Sequence, residues 1–298
     1  MTIPRVAFLH NALASIILPV ALIAGLASAI GFQSGLLPRR GSSGFIPVTV
    51  NIPAGRLAYR QSGEFFRNGL VVDAPMTETI QRSLEITKYQ VSTENYDRCV
   101  TEGFCIRRET STPSRADLPA NGVSFDDAVA YARWLSDKTG EIWRLPKVEE
   151  LAFAAGSKYP DDALGIDPRS KNPALRWLAD YERETARKAS RIPNPQPYGS
   201  FGENEHGLAD FGGNVWEWTS TCLRRVTLDR YSKPVSQVES CGIYIATGKH
   251  SSPLSAFIRE PKGGGCSVGA PPDNVGFRLV RDKRWYAPLL FAILGRPM

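Results

Sequence analysis

Apolar residues are distributed along the 298-residue chain in three patterns, and each predicts a different kind of element. The first is a continuous run. Residues Ala12 to Phe32 (ALASIILPVALIAGLASAIGF) contain no charged side chain, and as a helix they would extend about 31 Å, close to the ~30 Å hydrocarbon core of a bilayer. A buried core helix would show a polar face, and this run has none. Arg5 precedes it, and Ala27-Ser28-Ala29 has the small-x-small form of a cleavage site, so residues 1–32 read as a signal peptide or a transmembrane anchor. Arg39 and Arg40 pull the other way, because the positive-inside rule would keep them in the cytoplasm. Residues 33–48 (QSGLLPRRGSSGFIPV) read as a linker, 49–282 as the folded domain and 283–298 as a C-terminal tail.

The second pattern is helical periodicity. It is strongest from Ser124 to Lys138, where Ala128, Tyr131, Ala132 and Leu135 share one face, Ser124 and Asp127 have capping-box spacing, and Gly140 supplies the stop. A second helix is predicted from Lys147 to Ala155, after Pro146, with Val148, Leu151, Ala152 and Ala155 on one side. The third pattern is a set of short β-branched and aromatic runs. Thr49 to Pro53 and Leu84 to Ser92 suit strands, and near the C-terminus Asn274 and Gly276 suit a turn before a buried strand with Phe277 and Leu279 on one face and Arg278 on the other. Arg278 reads as structural, with a contact to a substrate carboxylate as the alternative. No repeat of 20 to 50 residues is visible, which removes solenoids and propellers.

Composition sharpens this picture. Glycine and proline (26 and 22 residues) exceed the roughly 12% of an average protein, which argues for turns and irregular segments over a helix bundle or coiled coil. The net charge of +6 is scattered and accompanies no nucleic-acid reader motif, so nucleic acid is not an expected partner.

Five cysteines point to an oxidising compartment. Cys99 and Cys105 bracket the tight segment CVTEGFC, and Cys222 and Cys241 bracket a polar loop, so each pair reads as a local disulfide. Other pairings stay open: Cys266 could instead join Cys222 or Cys241, or all could be thiols in a reducing compartment. Zinc is disfavoured, since there is no CxxC and the histidines are only His10, His206 and His250.

Three ordered blocks carry a resemblance: GVSFDDAVAYARWLSDKTGEIWRLPKVEELAFAAG from Gly122, YGSFGENEHGLADFGGNVWEW from Tyr198 and PPDNVGFRLV from Pro271. Together they resemble the signature of the formylglycine-generating enzyme, or sulfatase-modifying factor, superfamily. The resemblance implies an α+β, C-type-lectin-like domain with little regular secondary structure, here preceded by the N-terminal hydrophobic helix. It also implies a structural calcium held by the Asp210 side chain, the Gly213 and Val215 carbonyls and the Glu217 carboxylate. Hard oxygens on a Gly-rich loop suit that ion. Alternatively, Asp210 and Glu217 satisfy loop N–H groups while Trp216 and Trp218 fill the core.

The chemistry implied by the superfamily does not carry over. The copper oxidases of this group need two cysteines five apart, because soft thiolates select Cu(I). The matching stretch here, ATGKHSSPLSAFIREP from Ala246, has none, and the mature chain's His206 and His250 cannot make the three-histidine iron site of the sulfur-to-histidine relatives. Copper and iron are therefore not expected. Two catalytic candidates are left: His250, a base or groove contact if not an exposed loop histidine, and Cys266 in KGGGCSVG, a metal-binding or mixed-disulfide thiol if not a structural one.

That glycine-rich segment, with WEWTSTC, most resembles the branch encoded beside copper nitrite reductases and named as accessory proteins. The implied function is an exported accessory or maturation factor, periplasmic or otherwise extracytoplasmic, either secreted or anchored to the inner membrane. Its groove would bind an exported protein or small ligand, with membrane contact only through the N-terminal segment. The alternative is an oxidoreductase acting on an exported protein or small molecule.

Overall fold

The first strand, β1 (Thr49–Ile52), ends at Pro53, whose missing N–H cannot extend a ladder. The computed structural model describes residue 22 and residues 46–167, 170, 172–189, 192–261 and 273–295, so nearly all of the N-terminal apolar run and of the linker, and Cys266, lie outside the described residues. β1 pairs antiparallel with β6 (Leu84–Thr87) in the register Thr49 to Thr87. Between them, β2 (Gly55–Arg60) and β5 (Met76–Gln81) form a two-stranded ribbon, and β3 (Glu64–Arg67) and β4 (Leu70–Val72) form a tight hairpin. The hairpin turns on Asn68 and Gly69, both at positive φ, as a two-residue turn matching strand twist requires.

The strand predicted over Leu84 to Ser92 stops at Thr87. The chain bends at Lys88 and Tyr89, Val91 N donates to Phe277 O at 2.9 Å, and Ser92 turns the chain into a helix. Its Oγ accepts from Asn95 N at 3.1 Å and caps α1 (Thr93–Thr101). The polar sequence of α1 hides its buried face, which consists of Thr93, Tyr96 and Cys99.

The two predicted helices are present. α2 (Phe125–Thr139) has its capping box, with Ser124 N donating to Asp127 Oδ2 at 2.9 Å and Asp127 N to Ser124 Oγ at 3.2 Å, and it ends on Gly140 at φ 73°. β7 (Trp143–Arg144) leads into α3 (Val148–Ala155). Two further helices, α4 (Pro173–Ala189) and α5 (Ala287–Leu294), were not expected, and α5 occupies the segment read as a tail.

The remaining strands are β8 (Trp216–Leu228), β9 (Pro234–Thr247), β10 (Ser251–Ser255), β11 (Val275–Gly276) and β12 (Val280–Arg281). One sheet runs β1-β6-β12-β7 and another β10-β9-β8-β3-β4, with β11 parallel to β8. The buried strand expected through Phe277 and Leu279 is therefore a crossing: β11 belongs to one sheet and β12 to the other. Phe277, Arg278 and Leu279 span the gap with no exposed surface. A break in alternation at the crossing buries Arg278 along with its apolar neighbours.

Trp134, Trp143, Trp218, Tyr96, Tyr131 and Phe277 form the larger core, and Ile52, Ile86, Leu151, Phe211 and Val280 belong to a second. Trp216 and Trp218 are both buried, as either reading of the central loop required. The disulfides are Cys99–Cys105 and Cys222–Cys241, with Cα separations of 5.3 and 4.9 Å. These bonds overturn the open alternatives in which Cys266 joins Cys222 or Cys241.

Candidate functional site

The Gly-rich loop before β8 is built around two carboxylates. Asp210 adopts φ 60°, and its Oδ2 and Oδ1 accept from Gly199 N at 2.7 Å and Phe201 N at 2.8 Å. This holds the preceding turn, and Phe201 packs so closely on Gly213 that a Cβ there would lie 2.3 Å from its ring. Glu217, on β8, is fully buried and faces the sheet crossing. Arg278 donates to it through Nε at 2.5 Å and Nη2 at 2.7 Å, and Gln90 Nε2 donates to the same carboxylate at 2.7 Å. The guanidinium also donates to the Thr87, Lys88 and Ala209 carbonyls at 3.2, 3.0 and 3.0 Å.

This arrangement has the form of a satisfied buried ion pair. A calcium ion held by Asp210, Gly213, Val215 and Glu217 would have to share these oxygens with two backbone amides, Gln90 and an arginine that already neutralises Glu217. The donor set as arranged fits such an ion poorly. Arg278 takes the structural role expected of it.

A second constellation lies at the β9–β10 turn. Gly248, Lys249 and His250 connect the strands, with Gly248 N donating to His250 O at 3.0 Å. A side chain on Gly248 would collide with the Trp216 ring at 2.7 Å, so glycine is needed for the turn to lie this close. His250 is only 4% exposed and stands edge-on to Trp216, with centroids 4.1 Å apart. It is not the exposed loop residue that the sequence alternative described.

Beside it, Ser251 Oγ lies 3.2 Å from Thr247 Oγ1 and 3.4 Å from Ser62 Oγ, and Ser251 N donates to Asp162 Oδ2 at 2.9 Å. The Tyr159 hydroxyl is buried against the same three hydroxyls without reaching hydrogen-bond geometry, and burial pushes its pKa up. Ser252 Oγ, on the neighbouring position of β10, is fully buried and has no hydrogen-bond partner among the described residues.

Two cavities flank Ser62. One of about 150 Å³ is bordered by His250, Ser251 and Asp162 together with Arg60, Arg176 and Arg183. These arginines are engaged: Arg60 with Asp161, Arg176 with Asp73 at 2.8 Å and Arg183 with Asp180 at 2.6 Å. The other, about 430 Å³, is a polar cleft lined by Thr77, Thr79, Ser220, Thr221, Lys147 and Arg224 among others, and it reaches the Cys222–Cys241 bridge. Hydroxyls, amides and paired charges make these surfaces suited to holding polar groups. Among the described residues, no cluster of three or more His, Cys, Asp or Glu side chains is placed to hold a metal ion.

Of the catalytic candidates from sequence, only His250 is brought to this constellation, and Cys266 lies outside the described residues. Ser62, Tyr159 and Asp162 carried no sequence signal, because two distant segments supply them, whereas Thr247 and Ser251 flank His250 in the stretch from Ala246.

A polar constellation at the head of β10, a Gly-rich turn leading into the buried Trp216–Trp218 start of β8, and two irregular sheets joined by the Phe277–Leu279 crossing define a class. Residues 34–283 match the sulfatase-modifying factor enzyme 1-like domain, and the chain belongs to that family. It is 29% identical over 202 residues to a formylglycine-generating enzyme of Mycobacterium tuberculosis, covering 60% of this chain and 64% of that protein. It is 26% identical over 173 residues to the inactive C-alpha-formylglycine-generating enzyme 2 of Bos taurus, covering 56% and 51%. The chain thus spans less than two thirds of the length of these curated relatives. In fold it resembles PvdO from Pseudomonas aeruginosa, with a TM-score of 0.52 and 20% identity over 83% of this chain and all of that one.

Proposed function

We propose that this protein is an exported accessory or maturation factor that uses the formylglycine-generating-enzyme scaffold to bind instead of to oxidise. The observation that carries the reading is β10. Where the resemblance calls for a copper-binding cysteine pair, this strand reads Ser-Ser-Pro-Leu-Ser and faces hydroxyls. Hydroxyls are hard, weakly acidic ligands and do not select Cu(I). The polar cleft beside it offers donors and acceptors to an extended polar segment, and both disulfides suit an oxidising compartment. The partner indicated by the resemblance of the segment around Cys266 is a periplasmic metalloenzyme such as copper nitrite reductase.

The test is co-purification of the full chain with copper nitrite reductase and measurement of the reductase's copper content with and without it. Retention of the complex, lost on filling the cleft with Thr221→Trp, supports the reading; no association and no effect on copper content overturns it. The oxidoreductase alternative is separated by metal analysis of the purified protein: stoichiometric copper or iron would favour it, and so would conversion of a cysteine peptide to the aldehyde.

A further inference from the structure

We propose that α5 is a membrane-interface helix that lays the domain on an anionic lipid surface, a second membrane contact in addition to the N-terminal segment. All eight residues of this helix, APLLFAIL, are apolar, and only Ala287 is buried. Leu289, Ile293 and Leu294 are exposed, and Trp285 just before the helix is 87% exposed. A helix on the surface of a soluble domain ordinarily turns a polar face to water, and this one has none to turn. At eight residues it is about 12 Å long, far too short to span a bilayer. Among the described residues no helix is long and apolar enough to do so.

The surroundings point to lipid as the occupant. Lys283 pairs with Glu85 at 2.6 Å and Arg284 with Asp282 at 2.5 Å, but the acids lie underneath and the bases outside: side-chain exposures are 63% against 10% and 33% against 2%. Exposed Arg133 lies beside Gly295 at the other end, where a side chain would come within 3.9 Å of its guanidinium. An apolar helix with an exposed indole at its start and cations at both ends matches the acyl, interfacial and headgroup layers of an anionic leaflet.

The chain's geometry puts a membrane within reach. The Glu85 carboxylate that meets Lys283 also accepts from Thr49 Oγ1 at 3.0 Å, so the first strand and the start of this helix share one side chain. Residues 33–48 separate Thr49 from the apolar N-terminal run in sequence, and that length of chain reaches at most about 55 Å when fully extended. If that run stays in the bilayer, α5 is held within reach of the same surface.

The experiment places a benzophenone amino acid at Ile293 in the full chain, reconstituted into vesicles of phosphatidylcholine and phosphatidylglycerol. Ile293 is 68% exposed, so the core is undisturbed. Adducts to lipid are expected on illumination. Adducts to protein instead, whether to the chain's own N-terminal segment or to a second copy, would overturn the proposal. Independently, spin-labelled lipid should quench a component of tryptophan emission that disappears in Trp285→Phe; equal quenching of wild type and variant counts against it.

Discussion

Arg278 and Glu217, 61 residues apart, form a two-pronged ion pair with neither side chain exposed, and it ties the crossing between the sheets to the first residues of β8. Removing either partner strands the other charge in the core, which typically costs about 3–5 kcal/mol. Glu217→Gln and Arg278→Met should each lower the melting temperature strongly, and by the same amount in calcium and in chelator. Calcium ligation at Asp210 and Glu217 carries the opposite expectation: wild type would gain about 2.7 kcal/mol at 100-fold excess over Kd, and Glu217→Gln would lose only that gain. Calorimetry in the two buffers decides between them.

The β9–β10 turn should not tolerate a methyl group at Gly248. The Cβ of Gly248→Ala would sit 2.7 Å from the Trp216 ring on which His250 rests, so the ring must shift. A loss of roughly 1–3 kcal/mol is expected in chemical denaturation, together with a changed near-UV circular dichroism signal from the displaced indole. An unchanged spectrum would mean that the turn does not press on the Trp216 ring.

Acid should weaken the fold through Arg144. Its guanidinium donates to Glu150 at 2.5 and 2.6 Å and reaches Asp282 at 3.3 Å. Burial pushes both carboxyls up, but Arg144 outweighs it at Glu150 and Arg284 at Asp282, so both titrate below their ordinary range. A carboxyl lowered in the folded state stabilises fully above its unfolded pKa, about 4, and the contribution disappears as pH falls through the folded value. Melting temperature should therefore drop on acidification below that point, and Glu150→Gln should start lower at neutral pH and fall less steeply.

Four of the five cysteines are consumed in Cys99–Cys105 and Cys222–Cys241. Peptide mapping without reduction should find both bridges and, in the unfolded chain, one titratable thiol at Cys266. A bridge to Cys266 would contradict the pairing.

The parts of the fold that follow from local chemistry were legible in the sequence: α2 between its capping box and Gly140, α3 after Pro146, β1 stopped by Pro53. What escaped depends on distant partners. α1 is polar enough to hide its buried face, and α5 has no polar face by which periodicity could mark it as a surface helix. Phe277 to Leu279 read as one strand because alternation cannot report that its two ends join different sheets. The site divided in the same way. Asp210 and Glu217 stood out by spacing, but the donors that occupy them come from Gln90, Gly199, Phe201 and Arg278. Ser62, Tyr159, Asp162 and Ser251 are ordinary residues until the hairpin brings them together.

The bridges across residues 99–105 and 222–241 also set a direction in time. Each closes a short loop, and the longer, with a separation of 19 residues, is of a size that typically adds about 3 kcal/mol to stability. A chain kept in reducing surroundings lacks both and is correspondingly easier to keep unfolded. Under the exported reading proposed above, oxidation after threading would work as a ratchet: once the sulfurs joined, the route back through a narrow channel would be closed.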